Sequence, residues 1–358
     1  MNLSLPPIIH IVRRFGPVGG MEGYVWNLTH ELTNLGLSIE VICEETLEAP
    51  HGDIIIHKVA RSESRPRWKS MLRFRGLVTE LITQRINEAP ALIHSHERSE
   101  GHHLTTFHGP PMVAREILWG LPPLNRRVNA WKQMERDELI NESVKQVLAV
   151  SSRIRDQLVE LHPELQSKKI EIAYPGIKPQ DGTVIPTTSR SCNTNRFVFV
   201  GREWKRKGLE LAVKIIEKLP KGCVLDVYGP TKKELPRRIT EHPSVEIKGW
   251  AADIPWIDYE VLIHPARNEP FGMVIPEARS FGVKVLTTDI VGSTEFGFND
   301  LIALSLDSPL SSWITALIEL TNQQTKRIPE CLWSWTDLAR QHAEIIYPNT
   351  YRTIFEES

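Results

Sequence analysis

The sequence predicts an α/β fold of two domains, each a parallel sheet doubly wound with helices. With 358 residues, the chain is long enough to bury two full cores. Apolar strand patterns alternate with helical patterns in two successive rounds. Between these rounds the apolar pattern fails, and Pro, Thr, Ser, Gly and Asn accumulate. We therefore predict a first domain at 1–177, a linker at 178–195, a second domain at 196–334 and terminal helices at 335–358.

The overall composition excludes several classes of protein. The formal net charge of −1 gives no general indication of nucleic-acid binding. The N-terminal ten residues lack the charged-then-apolar order of a signal peptide, and no apolar run approaches the roughly 20 residues that span a bilayer. The cysteines show neither metal-ligand spacing nor a disulfide framework, which predicts reduced thiols in a cytoplasmic protein. They are Cys43, Cys192, Cys223 and Cys331.

The first domain opens with a strand, a glycine-rich loop and a helix. The strand is predicted at 8–12 and the helix at about 22–35, with Gly19 and Gly20 in the loop between them. Such a loop can hold a phosphate at the helix N-terminus. A plain strand-to-helix turn is the alternative, and the pattern is not the G-x-G-x-x-G of nicotinamide enzymes.

Further strands of the first domain are predicted from short apolar runs. The two at 91–95 and 104–107 lie only about eight residues apart, whereas a parallel crossover through a helix normally takes a dozen or more. A locally antiparallel pair or an irregular edge is therefore an alternative here. A long helix follows at about 125–141, and Ser151 suits the N-cap of the next one. The remaining strands are predicted at 38–44, 54–59, 145–150 and 170–174.

A basic segment lies at 61–75. It holds six basic residues and one acidic residue, with Trp68, Met71, Leu72 and Phe74 interleaved. A basic amphipathic segment can bind an anionic membrane surface, and Trp68 and Phe74 would add apolar contact. The alternative is an ordinary surface helix with a solvated basic side.

The second domain begins with the strand 196–200 and a charged loop at 201–208. Arg202 and Lys207 in this loop suit a diphosphate, the first through a bidentate fork and the second as a point charge. A solvated charge run is the alternative. Further strands are predicted at 223–228, 245–248, 260–264 and 284–287, and a helix at 310–321 with Ser308 as its N-cap and Pro309 as its first residue.

The turn at 267–277 carries the most specific pattern. It joins the strand 260–264 to a helix that Gly282 ends, so it directs free backbone N–H groups and the positive end of a helix dipole at one point. Glu269 and Glu277 lie eight positions apart around it. Carboxylates beside a bound phosphate accept hydrogen bonds from sugar hydroxyls. The alternative is that Glu277 caps its helix and Glu269 is solvated.

The stretch from His264 to Ala278 resembles the E-x7-E signature of the retaining glycosyltransferases of family 4, and 201–208 resembles that family's G-R-x(n)-K-G element. The family has the GT-B architecture, in which two Rossmann-like doubly wound domains face each other across a cleft and the last helices cross back to the first domain. The resemblance implies that 1–177 binds the acceptor and 196–334 the nucleotide sugar. The short 96–103 connection resembles the lipopolysaccharide-core glucosyltransferases within the family.

The resemblance also implies roles for individual residues. Glu269 would contact the donor sugar, Glu277 the ribose, and Arg202 and Lys207 the phosphates, with Lys205 and Arg206 as alternatives to Lys207. His108, at the end of the strand 104–107, would lie beside the anomeric centre. The implied catalytic residues are His108, Glu269, Arg202 and Lys207, and the implied donor-binding residues are Gly19, Gly20, Arg202, Lys207, Trp250, Glu269, Phe271, Gly272, Met273 and Glu277.

We therefore expect a retaining hexosyltransferase that uses UDP-glucose or a similar donor and no further cofactor. No Asp-x-Asp metal site is evident, so we expect a metal-independent reaction. An anionic acceptor such as lipopolysaccharide core would suit the arginines near the cleft, and the enzyme could sit peripherally on the inner membrane face. The alternatives are another GT-B enzyme, such as a sugar-nucleotide epimerase, or a catalytically silent sugar-nucleotide-binding protein. The arginines are Arg13, Arg14, Arg126 and Arg127.

Overall fold

The structure, a computed structural model, describes residues 5–61, 65–112, 126–178, 195–323 and 333–356. The chain divides into two compact units. One comprises Met1–Gly176 together with Trp333–Ser358, and the other comprises Ile177–Leu332. The predicted linker, 178–195, lies outside the described residues except at its two ends.

The first unit is built on a parallel sheet whose strand order is β5-β3-β1-β6-β7-β8-β9. Every pairing in this sheet is parallel, and β1 lies between β3 and β6. A two-residue pair, β2 and β4, lies outside it. The strands are β1 Ile8–Ile11, β2 Arg14–Phe15, β3 Ile39–Cys43, β4 Glu45–Thr46, β5 Ile54–Lys58, β6 Leu92–Ser95, β7 Leu104–Phe107, β8 Gln146–Ala149 and β9 Lys169–Ile172.

Helices of the first unit pack on this sheet. One core cluster joins β1, β3 and β6 to buried side chains of α2 and α3. Ser151 caps α4 as predicted, because its side chain accepts a hydrogen bond from the Ile154 N–H at 3.2 Å. The helices are α1 Met21–Asn34, α2 Arg67–Glu88, α3 Arg126–Ile140, α4 Ser152–Leu161 and the 3-10 turn Pro163–Ser167.

The C-terminal helices belong to the first unit. Ser334 and Asp337 form a capping box at the start of α9 (Trp335–Gln341). A π-helical turn, His342–Ile346, continues into α10, Tyr347–Phe355. The Trp333 indole donates to the carbonyl of Tyr174 at 3.0 Å. This hydrogen bond joins the C-terminal segment to the loop that follows β9.

β6 and β7 pair in parallel, so the alternative of a locally antiparallel pair or an irregular edge is wrong. Both strands lie inside the sheet. The short connection is held by buried polar side chains instead of a helix: the Ser95 and Ser99 hydroxyls are 2.7 Å apart, and His102 Nε2 is 2.9 Å from the carbonyl of Glu138 on α3. Hydrogen bonds to a neighbouring helix therefore replace the usual crossover.

The second unit is built on a parallel sheet with the order β12-β11-β10-β13-β14-β15. Here β10 pairs with both β11 and β13, and all described pairings are parallel. Together the two sheets confirm the predicted α/β fold of two Rossmann-like halves. The strands are β10 Arg196–Val200, β11 Val224–Tyr228, β12 Val245–Gly249, β13 Val261–His264, β14 Lys284–Thr288 and β15 Leu301–Leu304.

Helices cover both faces of the second sheet. One core cluster includes the buried side chains of α5 and α8, and the other includes those of α7. Pro309 is the N-cap of α8, where Ser308 was predicted, and no side chain caps this helix. The helices are α5 Leu209–Ile216, α6 Arg237–Thr240, α7 Val274–Ser280, α8 Leu310–Asn322 and the 3-10 turns Lys232–Glu234, Trp256–Asp258 and Gly292–Phe296.

The basic segment at 61–75 starts α2, and its apolar side chains are not all available to a membrane. Phe74 is fully buried and Met71 nearly so, because both pack in the sheet-facing core. Arg75 is buried in ion pairs with Glu100 and Asp137. The prediction that Phe74 contacts a membrane is therefore wrong. Within the described parts of the chain, no helix combines the length and apolar character needed to cross a bilayer.

Of the cysteines, Cys43 and Cys223 are buried free thiols. Cys192 and Cys331 lie outside the described residues.

Candidate active site

The order of the second sheet locates a ligand crevice. In an open parallel sheet, ligands bind beyond the carboxyl ends of the strands where the strand order reverses. That reversal falls between β10 and β13. The segments that leave these strands are the charged loop 201–208 and the turn 265–273, so the two motifs singled out in the sequence meet at this point.

Glu269 is the centre of this site. Its Oε2 lies 3.0 Å from Arg206 Nη1 and 3.2 Å from Lys207 Nζ, and the residue is only 8% exposed. Burial alone would raise its pKa, but the charges of Lys207 and Arg206 hold the pKa of Glu269 well below its ordinary value. Glu269 is therefore ionised, and the alternative of a solvated loop residue does not fit this structure.

Two glycines allow the charged loop to approach the turn. A Cβ on Gly201, whose φ is +152°, would stand 2.0 Å from Lys207 Cδ. A Cβ on Gly208, whose φ is +81°, would stand 1.9 Å from the carbonyl oxygen of Pro265. The backbone N–H of Arg267 donates to the carbonyl of Arg206 at 2.8 Å, which joins the two segments directly. The glycines thus let Lys207 reach Glu269.

A third segment supports the turn from the side of β14. Glu269 forms an isolated parallel bridge with Val291, and the Ser293 N–H donates to the carbonyl of Phe271 at 2.8 Å. The Phe271 ring is buried and meets Phe296 edge to face. These contacts fix the backbone immediately before α7.

The backbone N–H groups of Gly272 and Met273 face no hydrogen-bond acceptor within the described chain. They lie at the start of α7, where the N-cap, Met273, offers no side-chain cap. That these groups hold a diphosphate stays a prediction.

Glu277 lies in the first turn of α7 and points to solvent. Desolvation raises the pKa of Glu277 above its ordinary value, against the opposing charge of Lys207. Because the side chain is exposed, contact with water limits this upward shift. The structure gives no N-cap bond to Glu277, so it remains available to a ligand.

Two other predicted donor residues are exposed in neighbouring loops. Arg202 lies two residues after β10, and its backbone nitrogen is 2.7 Å from where a Cβ of Gly229 would be. Trp250 follows β12 and is 75% exposed, and its neighbour Gly249 accepts a hydrogen bond from the Gly229 N–H. Neither side chain contacts Glu269 within the described residues.

The sequence left open which cation of the loop 201–208 contacts the site, and it did not predict that a buried histidine lies there. Arg206 contacts the carbonyl of Asn268 as well as Glu269, so both Arg206 and Lys207 hold the carboxylate. His264, the last residue of β13, is fully buried, and its Nε2 is 3.7 Å from Glu269, too far for a hydrogen bond. Burial lowers the pKa of His264 to about 4, so the ring is neutral. The sequence did offer one signal for this residue: His264 ends a predicted strand, and strand ends of this kind face the ligand crevice.

In the first unit, the sheet order reverses between β1 and β6. His108 follows β7, next to this point, and is partly exposed. Its Nε2 lies 3.0 Å from Nδ1 of His96, and its ring meets Tyr24 edge to face at 4.7 Å. Burial lowers the pKa of His108 to about 3, so the imidazole is neutral. Its predicted role beside the anomeric centre stays a prediction.

Glu97 is a second residue that sequence reasoning missed. It follows β6 at the reversal, is buried, and its Oε1 accepts a hydrogen bond from the Arg13 N–H at 3.2 Å. Burial raises the pKa of Glu97 to about 7, against the nearby Arg13. A carboxyl with this pKa exchanges its proton near neutral pH.

The glycine-rich loop before α1 differs from an open phosphate cradle. Gly19 has φ +68°, and a Cβ there would stand 2.8 Å from Oε2 of Glu22, whose carboxylate lies over the helix start. Gly20 is the N-cap and exposed. A carboxylate at this end already stabilises the helix dipole. Donor binding by Gly19 and Gly20 stays a prediction.

The arginines expected to meet an anionic acceptor differ in availability. Arg13 is engaged by Glu44 at 2.7 Å and Ser70 at 2.8 Å, so it supports the fold instead. Arg14 is half exposed and 3.9 Å from Glu45. Arg126 and Arg127 are exposed at the start of α3.

Comparison with known sequences gives matches over most of the chain. The family model "Glycosyltransferase Family 4" matches residues 18–181, and "Glycosyl transferases group 1" matches residues 194–323. A D-inositol 3-phosphate glycosyltransferase of Corynebacterium urealyticum is 24% identical over 92% of this chain and 91% of its own. The lipopolysaccharide glucosyltransferase WaaG of Escherichia coli K12 is 24% identical over 65% of this chain and 66% of its own.

Solved structures share the fold at low identity. The crystal structure of WaaG, a glycosyltransferase involved in lipopolysaccharide biosynthesis, gives a TM-score of 0.74 at 16% identity, covering 97% of this chain and 99% of that one. Anabaena HepE in complex with UDP-glucose gives 0.63 at 16% identity, covering 98% and 99%. With both family models matched in sequence order and both sheets in place, the chain belongs to the family 4 and group 1 glycosyltransferases and is an enzyme of the GT-B type.

Proposed function

We propose that this glycosyltransferase moves a hexose, with retention at the anomeric carbon and without a metal ion, from UDP-glucose or a similar donor to a glycan or glycolipid acceptor such as lipopolysaccharide core. The single observation that carries the donor assignment is the Glu269 carboxylate, held ionised by Arg206 and Lys207 at the strand reversal. A buried carboxylate in this state accepts hydrogen bonds from sugar hydroxyls and cannot itself deliver a proton.

Cations beside the turn support a metal-independent reaction. The leaving group is a nucleoside diphosphate, whose negative charge increases as the glycosidic C–O bond breaks. Lys207 lies at the site, Arg202 is exposed at the start of the same loop, and the N–H groups of Gly272 and Met273 face no acceptor among the described residues. Preorganised positive charge of this kind can stabilise the departing diphosphate.

For retention we propose attack on the same face that the leaving group departs from. The acceptor oxygen bonds to the anomeric carbon as the C–O bond to the phosphate breaks, and the acceptor proton passes to a phosphate oxygen. His108, neutral and beside the end of β7, would donate or accept one hydrogen bond near that carbon. We assign it no nucleophilic role.

A UDP donor is supported by one structural neighbour: HepE was solved in complex with UDP-glucose. The exposed indole of Trp250 at the end of β12 offers a surface for a nucleotide base. Glu277, free of a capping bond, would accept hydrogen bonds from the ribose hydroxyls.

An amphiphilic acceptor would be met at a membrane surface. On α2 and just before it, Arg65, Arg67, Lys69 and Arg73 are exposed and make no ion pair with any described residue. Each could contribute about 1 kcal/mol of attraction near an anionic surface before salt screening. Trp68 is partly exposed and Leu72 is 40% exposed, so they replace Phe74 as apolar contacts. We propose peripheral attachment to the inner, cytoplasmic membrane face through this side.

A donor panel tests the proposal. Purified protein is incubated with UDP-, GDP- and ADP-hexoses, and slow release of the free nucleotide is followed with and without EDTA. We expect UDP release from one UDP-hexose, unaffected by EDTA and abolished in Glu269→Gln. Loss of activity in EDTA that magnesium restores would overturn the metal-free reaction, and turnover of GDP-sugars alone would overturn the choice of base.

A catalytically silent sugar-nucleotide-binding protein is the competing function. It would bind UDP by calorimetry yet release no more UDP from a UDP-hexose than Glu269→Gln does. An epimerase would convert the donor hexose without releasing it, which chromatography of the sugar nucleotides detects.

A further inference from the structure

A group of buried histidines lies behind His108 in the first unit. His96 bonds to two other histidines: its Nδ1 is 3.0 Å from Nε2 of His108, and its Nε2 is 3.0 Å from Nδ1 of His10. Both His10 and His96 are buried: His10 lies within β1, and His96 directly follows the adjacent strand β6. None of the residue roles assigned so far uses these side chains.

The hydrogen bonds continue beyond His10 into the C-terminal helix and back to the sheet. The Tyr347 hydroxyl lies 3.3 Å from Nε2 of His10 and 3.0 Å from Nδ1 of His94. Nε2 of His94 lies 2.8 Å from the Thr106 hydroxyl, two residues before His108. We call this series the histidine chain. In order it comprises Thr106, His94, Tyr347, His10, His96 and His108.

Every histidine in the chain is neutral, because burial lowers the pKa of His10, His94, His96 and His108. A neutral imidazole carries one N–H donor and one acceptor nitrogen. A hydroxyl can accept one hydrogen bond and donate another. Within the described residues the Tyr347 hydroxyl has Nε2 of His10 and Nδ1 of His94 as its partners, so it donates to one and accepts from the other. The bonds therefore all run in the same direction along the chain, either toward His108 or away from it.

Thr106 selects the direction. Its hydroxyl is fully buried, and the His94 nitrogen is the acceptor of proper geometry that the described residues offer it. The Tyr24 hydroxyl also interacts with Thr106, without a hydrogen bond of normal geometry. Its buried O–H has no other acceptor among the described residues, so it acts toward Thr106 as a donor and leaves the Thr106 proton for His94. A buried hydroxyl that found no acceptor would cost roughly 1–3 kcal/mol. Thr106 therefore donates to His94, and each later member donates to the next.

We propose that the histidine chain is a positioning device that holds His108 in one tautomer, with the proton on Nδ1 and a bare Nε2 that accepts from His96. Nδ1 is the ring nitrogen of His108 for which the described residues provide no partner. The chain thus presents an N–H donor to whatever oxygen lies beside His108. A ring free to exchange tautomers would offer that donor only part of the time.

A metal site is the competing use of these residues, since ligand atoms of His10, His94 and His96 all lie within 4.8 Å of one another. The hydrogen bonds favour the histidine chain. Each ring nitrogen of these three residues already has a partner at 2.8–3.3 Å, so no lone pair is left for an ion. Metal content is therefore an outcome of the test.

The first measurement does not depend on catalysis. Protein with 15N-labelled histidine is examined by long-range 1H–15N correlation, which separates protonated from bare ring nitrogens, after assignment with single His→Gln variants. We expect His108 to be protonated on Nδ1 alone at neutral pH. Protonation on Nε2, a mixture of tautomers, or a stoichiometric metal ion bound to His10, His94 and His96 would each overturn the proposal, whatever the protein's activity.

The second measurement concerns catalysis and rests on the proposed function. His96→Leu removes the partner of His108, whereas His96→Gln retains one donor and one acceptor. We expect kcat for donor turnover to fall about tenfold to a hundredfold in His96→Leu, with the Kd for UDP unchanged and much of the loss restored in His96→Gln. Equal losses in the two variants would indicate a purely structural role for His96.

A variant that keeps the packing covers the case in which His96→Leu does not fold. Tyr347→Phe removes only the hydroxyl that joins His10 to His94, and Tyr351→Phe, in the same helix, is the matched control. We expect mixed His108 tautomers and a lower kcat in Tyr347→Phe, and neither change in Tyr351→Phe. A single, unchanged His108 tautomer in Tyr347→Phe would show that the chain does not set it.

Discussion

Replacing Lys207 by Met tests the charge balance around Glu269. The variant keeps the length of the side chain and removes its charge. At the observed 3.2 Å, an effective dielectric constant of about 20 gives an attraction of about 5 kcal/mol between the two groups. Two features reduce this figure: Arg206 remains at 3.0 Å, and the Lys207 side chain is 18% exposed. We therefore expect the free energy of unfolding at pH 7 to fall by about 2 kcal/mol.

The sign of the pH dependence follows from the lowered pKa of Glu269. A carboxyl whose pKa is depressed by folding adds stability above its unfolded pKa, and this contribution is lost as the pH falls through its folded pKa. Without Lys207 the folded pKa rises, so Glu269 contributes less stability and the loss is complete at a higher pH. We expect the acid limb of the activity profile to move up by about one pH unit, and kcat at pH 7 to fall about tenfold to a thousandfold.

Lys205→Met is the matched control, because Lys205 lies in the same loop and its ammonium stacks on Trp204, 5.2 Å from the ring centre. Denaturant unfolding at pH 5 and pH 7 and donor-turnover profiles are measured for both variants and the wild type. If Lys207→Met behaves like Lys205→Met in unfolding free energy and in pH profile, the assigned contact with Glu269 does not operate in solution.

Further predictions concern the two glutamates, a buried carboxyl and the basic helix. Glu269→Ala should abolish transfer and keep most of the affinity for UDP, whereas Glu277→Ala should weaken UDP itself; calorimetry showing equal losses would contradict this division. Arg202→Ala should lower kcat about tenfold to a thousandfold if Arg202 holds a donor phosphate, and unchanged turnover would remove it from the site. Burial raises the pKa of Glu97 to about 7 in the folded protein. The unfolded chain loses this proton at a lower pH, so the free energy of unfolding falls as the pH rises from the unfolded pKa toward 7. Glu97→Gln should therefore be more stable than the wild type by up to about 3 kcal/mol at pH 8 and about equal at pH 4; a gap that is the same at both pH values would refute the raised pKa. Replacing Arg65, Arg67, Lys69 and Arg73 with Glu should abolish co-sedimentation with anionic vesicles, and wild-type binding that is insensitive to salt and lipid charge would show that these cations are not the attachment site.

Most strands of the two sheets could be predicted from sequence because they are short apolar runs bounded by turn residues. The edge strand β15 and the two-residue strands β2 and β4 were not predicted. The β6–β7 connection could not be predicted either, since its length suggested an interrupted sheet. The parallel connection is held by contacts between residues far apart in sequence, such as His102 with the carbonyl of Glu138. Rules based on connection length carry no information about such contacts.

The basic helix shows the same limit at the level of side chains. The apolar residues of 61–75 recur at helical spacing, but spacing alone does not say whether that face meets a core or a membrane. Phe74 and Met71 pack against the sheet, and Arg75 is buried because Glu100 and Asp137 pair with it. Those two partners lie 25 and 62 positions further along the chain.

The donor-site motifs were recognised because Glu269 and Glu277 are close in sequence. The contacts of Arg206 and Lys207 with Glu269 span about sixty residues and depend on Gly201 and Gly208, so sequence could not decide which cation reaches the carboxylate. The histidine chain combines three strands and the C-terminal helix, and no local pattern marks it.

The central claim, a retaining transfer from a UDP-hexose that depends on Glu269, is tested most directly by proton NMR of donor hydrolysis. Water serves as the acceptor, so no knowledge of the natural acceptor is needed. We predict that the hexose of UDP-glucose or a related UDP-α-hexose is first released as the α-anomer, and that the Glu269→Gln variant releases none. First release of the β-anomer would contradict retention, and equal release by wild type and Glu269→Gln would contradict the role of Glu269.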